Sequence, residues 1–356
     1  MRIISDFQKD TQSDKPNPGS YEWWYFDACT DDGYALVIIF YDGNPFSRKY
    51  IKALSDKRDT VTASDFPAIS ISLYKDGEPV FYSFEEFQPE QAEFSTTVPE
   101  GKVGENQFYG RMDGDILKYR VSLNQSVPNG DSIEADLIFT SRPFDLSPIS
   151  QQSSSDHKLH TWNLVMPRGK VEGEIFLKGY CEKEIRFRGT GYHDHNTGSE
   201  PMKESFNEWY WGRYHTVDST LVYYLMFEKG EWKKKAWLIE NNGQILEMQG
   251  NVEMSNRGLS KFALQPARTL KFKGEGTEAF LQLENVVDDG PFYQRYLGQM
   301  LINKGGNILR AGGISEYIYP SRIYSKIFWP LVDMRIKYPG KAHWVQKNPK
   351  LYRWTW

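Results

Sequence analysis

Cysteine is nearly absent from this chain: Cys29 and Cys181 are the only two in 356 residues. They allow at most one bridge, too few to staple a secreted scaffold, and such usage suits a reducing compartment. No apolar run approaches the roughly 18 residues of a membrane-spanning helix. The opening MRIISDFQKDTQSDKPNPGS lacks the apolar stretch of a secretion leader, so a cytoplasmic location is expected. Charge of one sign is equally scarce. With 43 basic and 47 acidic residues the net charge is −4, and no long block of either sign occurs. Electrostatic capture of nucleic acid is therefore not expected. Metal spacings such as H-E-x-x-H and the phosphate-loop order G-x-x-x-x-G-K-[ST] are missing, and neither a metal nor a cofactor is expected.

Aromatic side chains are abundant: 11 Trp, 22 Tyr and 21 Phe make up 15% of the chain. That number points to large apolar-walled cavities as well as ordinary cores. Short alternating runs dominate, such as AISISLYKDGEPVFYSF (68–84), ILKYRVSL (116–123), IEADLIF (133–139) and EIRFRGTGY (184–192). Period-two patterning broken by Asp-Gly or Asn-Gly predicts antiparallel hairpins, and amphipathic helical windows are few. The fold class is all-β.

The length exceeds what one compact core usually carries, so two domains are expected. An internal echo supports this. Residues 22–44, EWWYFDACTDDGYALVIIFYDGN, align without a gap with residues 208–230, EWYWGRYHTVDSTLVYYLMFEKG. A second echo sets LYKDGEPVF against IENNGQILE. Two halves that open on the same hairpin predict two antiparallel β-barrels in tandem, residues 1–200 and 201–356, with few short helices.

Chemistry concentrates in RGTGYHDHNTG (188–198), which holds two of the six histidines. If the preceding strand continues through it, Tyr192, Asp194 and Asn196 share one face, and His193 and His195 share the other. A metal site would need both histidines plus a third ligand such as His215. An acid–base site would need Asp194 facing a closed cavity. A polar turn would need neither. A second cluster, HKLHTWNLVMPRG (157–169), contains His157 and places His160 and Trp162 two residues apart, on one strand face.

Together EWWYFD, HTW, GTGYHDHNTG, WYWGRY and GPFYQRY resemble the carotenoid 1,2-hydratase (hydroxyneurosporene synthase) family. That family lies within a lipocalin-like two-barrel superfamily that also contains pericyclases. The resemblance implies two tandem lipocalin-like barrels and a catalytic set made of a His-x-Trp and a Tyr-x-Asp pair, here His160, Trp162, Tyr192 and Asp194. Trp24, Trp211 and Tyr293, aromatics of the resembling motifs, are expected to contact substrate, whereas Glu22 and Trp23 are expected to be scaffold.

The implied function is acid-catalysed, cofactor-independent addition of water to a C=C bond of a long apolar isoprenoid or polyene. Asp194 would donate the proton, Trp162 and Tyr192 would stabilise the carbocation with their rings, and His160 would handle water. Holding an aspartic acid protonated at neutral pH asks for a rise of roughly three pK units, about 4 kcal/mol, which burial among aromatic rings can supply. The alternatives are an isoprenoid or polyketide cyclase using the same pocket, and a lipocalin-like carrier that leaves its apolar ligand unchanged. The Lys/Arg/Trp-rich segment YSKIFWPLVDMRIKYPGKAHWVQKNPKLYRWTW is expected to pack on the second barrel, with peripheral membrane contact as its other reading.

Overall fold

In the computed structural model, which describes residues 1–56, 61–146, 149 and 160–356, the chain forms two compact units. The first comprises Met1–Ser205 with Trp329–Thr355, and the second is built from Phe206–Phe328.

The strands of the first unit are β1 (Arg2–Ile4), β2 (Tyr21–Thr30), β3 (Tyr34–Asp42), β4 (Pro67–Lys75), β5 (Glu78–Glu86), β6 (Ala92–Phe94), β7 (Glu100–Val103), β8 (Asn106–Asp113), β9 (Ile116–Ser126), β10 (Ser132–Ser141), β11 (Thr161–Lys178) and β12 (Lys183–Gly198). They form one sheet in the order β5-β4-β3-β2-β12-β11-β10-β9-β8-β7-β6. β1 adds to β11 in parallel, with Ile3 opposite Trp162. The sheet curls until β7 lies against β3 and β4. Its inner face carries the core, including Phe26, Phe40, Phe108, Tyr119, Phe139 and Phe187, all buried.

The second unit repeats this plan with β13 (Glu208–His215), β14 (Ser219–Glu228), β15 (Glu231–Glu240), β16 (Ile245–Glu247), β17 (Asn251–Arg257), β18 (Ala267–Gly274), β19 (Thr277–Asp289), β20 (Tyr293–Lys304) and β21 (Asn307–Ile318). The order is β16-β15-β14-β13-β21-β20-β19-β18-β17. The echoed segments are the hairpins β2–β3 and β13–β14, and the second echo spans β4–β5 and β15–β16. Among the described residues no helix is long and apolar enough to cross a membrane.

The C-terminal segment departs from expectation. Trp329–Thr355 packs on the first unit, not the second. Its own polar groups fix that choice. The backbone of Lys337 bonds to Phe84 and Glu86 of β5, the Lys337 side chain pairs with Glu85, and Arg353 reaches Asp131 at 2.6 Å.

Where this segment meets β5, Glu86 is 2% exposed. Burial raises its carboxyl to about 7, against the opposing effects of Ser47, Lys49 and Arg48. The folded pKa lies above the unfolded one, so this contribution to stability is complete below the ordinary 4.5 and is lost as pH rises through about 7. The difference corresponds to about 3 kcal/mol. Glu86→Gln is expected to raise the melting temperature at pH 8 and to leave it unchanged at pH 4, as measured by calorimetry at both values.

Candidate active site

β12 carries chemistry on both faces, and its neighbours show how. Antiparallel pairing with β2 sets His193 opposite Phe26 and His195 opposite Trp24 on the inner face. On the outer face Tyr192 lies opposite Asp27, Asp194 opposite Tyr25, and Asn196 opposite Trp23. Trp162 of β11 lies opposite Asn196. Two register shifts in β11, between Asn163 and Met166 and between Met166 and Gly169, bend that strand beside the site.

The outer face closes around one carboxylate. Asp194 Oδ2 accepts from the Trp162 indole N–H at 2.7 Å and from the Tyr192 hydroxyl at 2.6 Å. Its Oδ1 accepts from the Asn196 amide at 2.7 Å. Trp162, Tyr192, Asp194 and Asn196 are all at most 2% exposed. All three donors are neutral groups.

His160 completes the cluster. Its ring lies 5.6 Å from that of Trp23, and its Nδ1 is 3.2 Å from the Tyr21 hydroxyl. Asn196, whose amide donates to Asp194, opposes in part the effect of burial on the His160 ring. Burial drives His160 from 6.5 down to about 3, so the ring is neutral across the physiological range. Gly198 makes room for this contact: a Cβ there would fall 2.1 Å from the Tyr21 ring.

The structure thus gathers His160, Trp162, Tyr192 and Asp194 on one face, and adds Asn196, Tyr21, Tyr25 and Asp27. Of these additions, Asn196 was visible as the residue two beyond Asp194. Tyr25 and Asp27 lie within the EWWYFD motif, but their place beside Asp194 comes from pairing with a strand more than 160 residues away. Trp23, expected as scaffold, stands beside His160.

Trp24 lies on the other side of the sheet from Asp194. It points to the inner face, stacked on His195 at 4.4 Å and on Phe94 at 4.7 Å, so it fills core and does not share the face of Asp194. Trp211 and Tyr293 belong to the second unit. There they share a sheet face, opposite Glu316 and Ile318 of β21, and Arg295 sits over the Tyr293 ring while pairing with Glu316 at 2.9 Å. His157 lies outside the described residues.

The inner face is a polar knot within an aromatic core. His193 stacks on Phe26 at 3.9 Å and meets Asp10 Oδ2 at 2.9 Å. His195 meets Glu22 at 2.8 Å and faces Asp10 Oδ1 at 3.4 Å. Tyr119 donates to Asp10, and burial together with that carboxylate holds its phenol well above the ordinary range. Burial alone would lower Lys15, but Glu22 and Asp42 outweigh it and raise the ammonium above 10.5. The interior of the first barrel is therefore occupied, and Asp194 faces away from it. Asp10→Ala would leave Tyr119 and His193 buried without their acceptor. Urea unfolding is expected to show a loss of about 3–5 kcal/mol.

A family model described as carotenoid hydratase CrtC matches residues 113–347. The chain is 30% identical to a hydroxyneurosporene dehydrogenase of Chlorobaculum tepidum, over 96% of this chain and 93% of the relative. It is 25% identical to an acyclic carotenoid 1,2-hydratase of Thiocapsa roseopersicina, over 90% of this chain and 73% of that one. The crystal structure of an AttH protein from Nitrosomonas europaea superposes with a TM-score of 0.61 at 16% identity, covering 89% of this chain and 97% of that one. The two curled antiparallel sheets are the expected tandem lipocalin-like barrels.

Proposed function

The chain belongs to the carotenoid hydratase family, and from that premise we propose that it adds water across a C=C bond of a long apolar isoprenoid or polyene, with Asp194 as the acid. The observation that carries this reading is the buried outer-face cluster, in which one carboxyl group is clasped by Trp162, Tyr192 and Asn196 beside a neutral His160.

The chemistry balances with water alone, without metal or redox cofactor. Protonated Asp194 gives its proton to one alkene carbon; the π bond breaks, a C–H bond forms, and the positive charge falls on the more substituted carbon. The faces of the Trp162 and Tyr192 rings stabilise that cation, each by about 2 kcal/mol where water is excluded. Water then forms the C–O bond, and the resulting oxonium, a stronger acid than the His160 imidazolium, releases a proton to that neutral ring. Solvent removes that proton and restores the one on Asp194. Tyr192 and Trp162 also hold the carboxyl group in a fixed orientation. Trp211 and Tyr293 are the second unit's candidates for substrate contact. A cytoplasmic location is part of the same reading.

Incubation with an acyclic carotenoid in ¹⁸O-labelled water is expected to yield a labelled tertiary alcohol. An isomer of unchanged mass would mark a cyclase, and unaltered bound polyene would mark a carrier. Asp194→Asn is expected to lower the rate by about 10²–10⁴-fold, the usual contribution of a positioned acid; retained hydration would remove Asp194 from this role.

Tyr192→Phe removes one donor to the carboxylate, which raises the pKa of Asp194. The alkaline limb of its pH–rate profile is therefore expected to move to higher pH, while the rate at the optimum falls. His160 titrates near 3, so no activity step is expected between pH 7 and 5 on its account.

A further inference from the structure

The C-terminal segment that packs on the first unit leaves one side open, and that side has a distinct composition. Residues 334–356 hold six Lys and Arg and no Asp or Glu. Three of the six are engaged within the fold: Arg335 sits over Tyr82, Lys337 pairs with Glu85, and Arg353 pairs with Asp131. Lys341, Lys347 and Lys350 are exposed, and no carboxylate of the described residues pairs with them.

Large apolar side chains stand among these lysines. Trp344 is 65% exposed, Trp354 71% and Leu351 39%. In the 3₁₀ turn Trp344–Lys347, three residues per turn put Trp344 and Lys347 on one side. In the helix Pro349–Trp354, Lys350 and Leu351 lie four and three residues before Trp354, and all three share the side opposite the buried Tyr352. A separate element contributes another aromatic. The guanidinium of Arg353 lies 3.9 Å from the centre of the Tyr180 ring, at the tip of the β11–β12 hairpin, and Tyr180 is 74% exposed.

Val345, Gln346 and Tyr352 are buried in the same stretch, so its packing needs are already met. Exposed tryptophans do nothing for that packing. Tryptophan and tyrosine belong where one end of a ring is apolar and the other wet, and unpaired lysines beside them complement anionic headgroups.

We infer that Trp344, Leu351, Trp354 and Tyr180, with Lys341, Lys347 and Lys350, form a docking surface for an anionic lipid bilayer. The inference rests on the hydratase reading for its purpose, since a long apolar polyene is stored in membrane. Binding itself does not depend on catalysis.

The test is sedimentation of the full chain with phosphatidylcholine vesicles, with or without about one-third phosphatidylglycerol. The chain is expected to sediment with the anionic vesicles and to remain in solution with the neutral ones. Lys347→Ala with Lys350→Ala is expected to weaken binding about 25-fold, near five-fold per lysine. Trp344→Ala with Trp354→Ala is expected to weaken it comparably and to abolish the fluorescence blue shift on binding. All these positions are exposed, and hydration of detergent-dispersed polyene is expected to be unchanged in both variants.

Absence of binding to anionic vesicles overturns the inference. So does binding that neither double variant alters, or self-association of the chain that the same substitutions abolish, which would make a second copy the occupant. Vesicle binding without hydration would instead defeat the hydratase reading and leave this surface standing.

Discussion

One constraint organises the first unit: successive residues of a strand face opposite ways. β12 spends this alternation on two different tasks. His193 and His195 point inward, where Asp10 and Glu22 receive them, while Asp194 between them points outward to Trp162, Tyr192 and Asn196. A slip of one residue would bury Asp194 in the polar knot and present the histidines to the outer face. The inner contacts therefore do more than fill space. They fix the register on which the outer cluster depends.

Burial gives those contacts their weight. Asp10, Glu22, His193 and His195 are nearly or wholly inaccessible, so each polar atom has only its protein partners to replace water. The same physics keeps His160 neutral on the other face. Lipocalin-like barrels invite the expectation of a ligand in the barrel interior. Here Phe26, Trp24 and Tyr119 close around the knot, and the cluster around Asp194 lies on the reverse side of the sheet.

Much of this was legible in the amino-acid order. Alternation alone separated Asp194 from its flanking histidines and placed His160 with Trp162, and the repeated hairpin announced two similar sheets. The partners were harder to see. Asp10 and Lys15 sit in a polar opening stretch that reads as a loose tail, yet Asp10 reaches His193 and Tyr119 far along the chain, and Lys15 pairs with Glu22 and Asp42 nearby. Trp24 is expected at the substrate and Trp23 in the scaffold, but alternation puts Trp23 beside His160 and Trp24 on the opposite face against His195. The C-terminal segment was read by composition, which counts its lysines without revealing that Lys337 and Arg353 are tied to the first unit.

The parallel pairing of Arg2–Ile4 with Thr161–Asn163 carries a consequence for synthesis. Residues Arg2–Ile4 cannot find their partner strand until about 160 more have been made after them. At typical elongation rates that is a wait of roughly 10–30 s. During it Asp10 and Glu22 stay without the histidines they meet in the finished barrel. Final closure of the core is thus coupled to emergence of the strands that bear Trp162 and Asp194, so the nascent sheet locks only when its chemistry can be assembled.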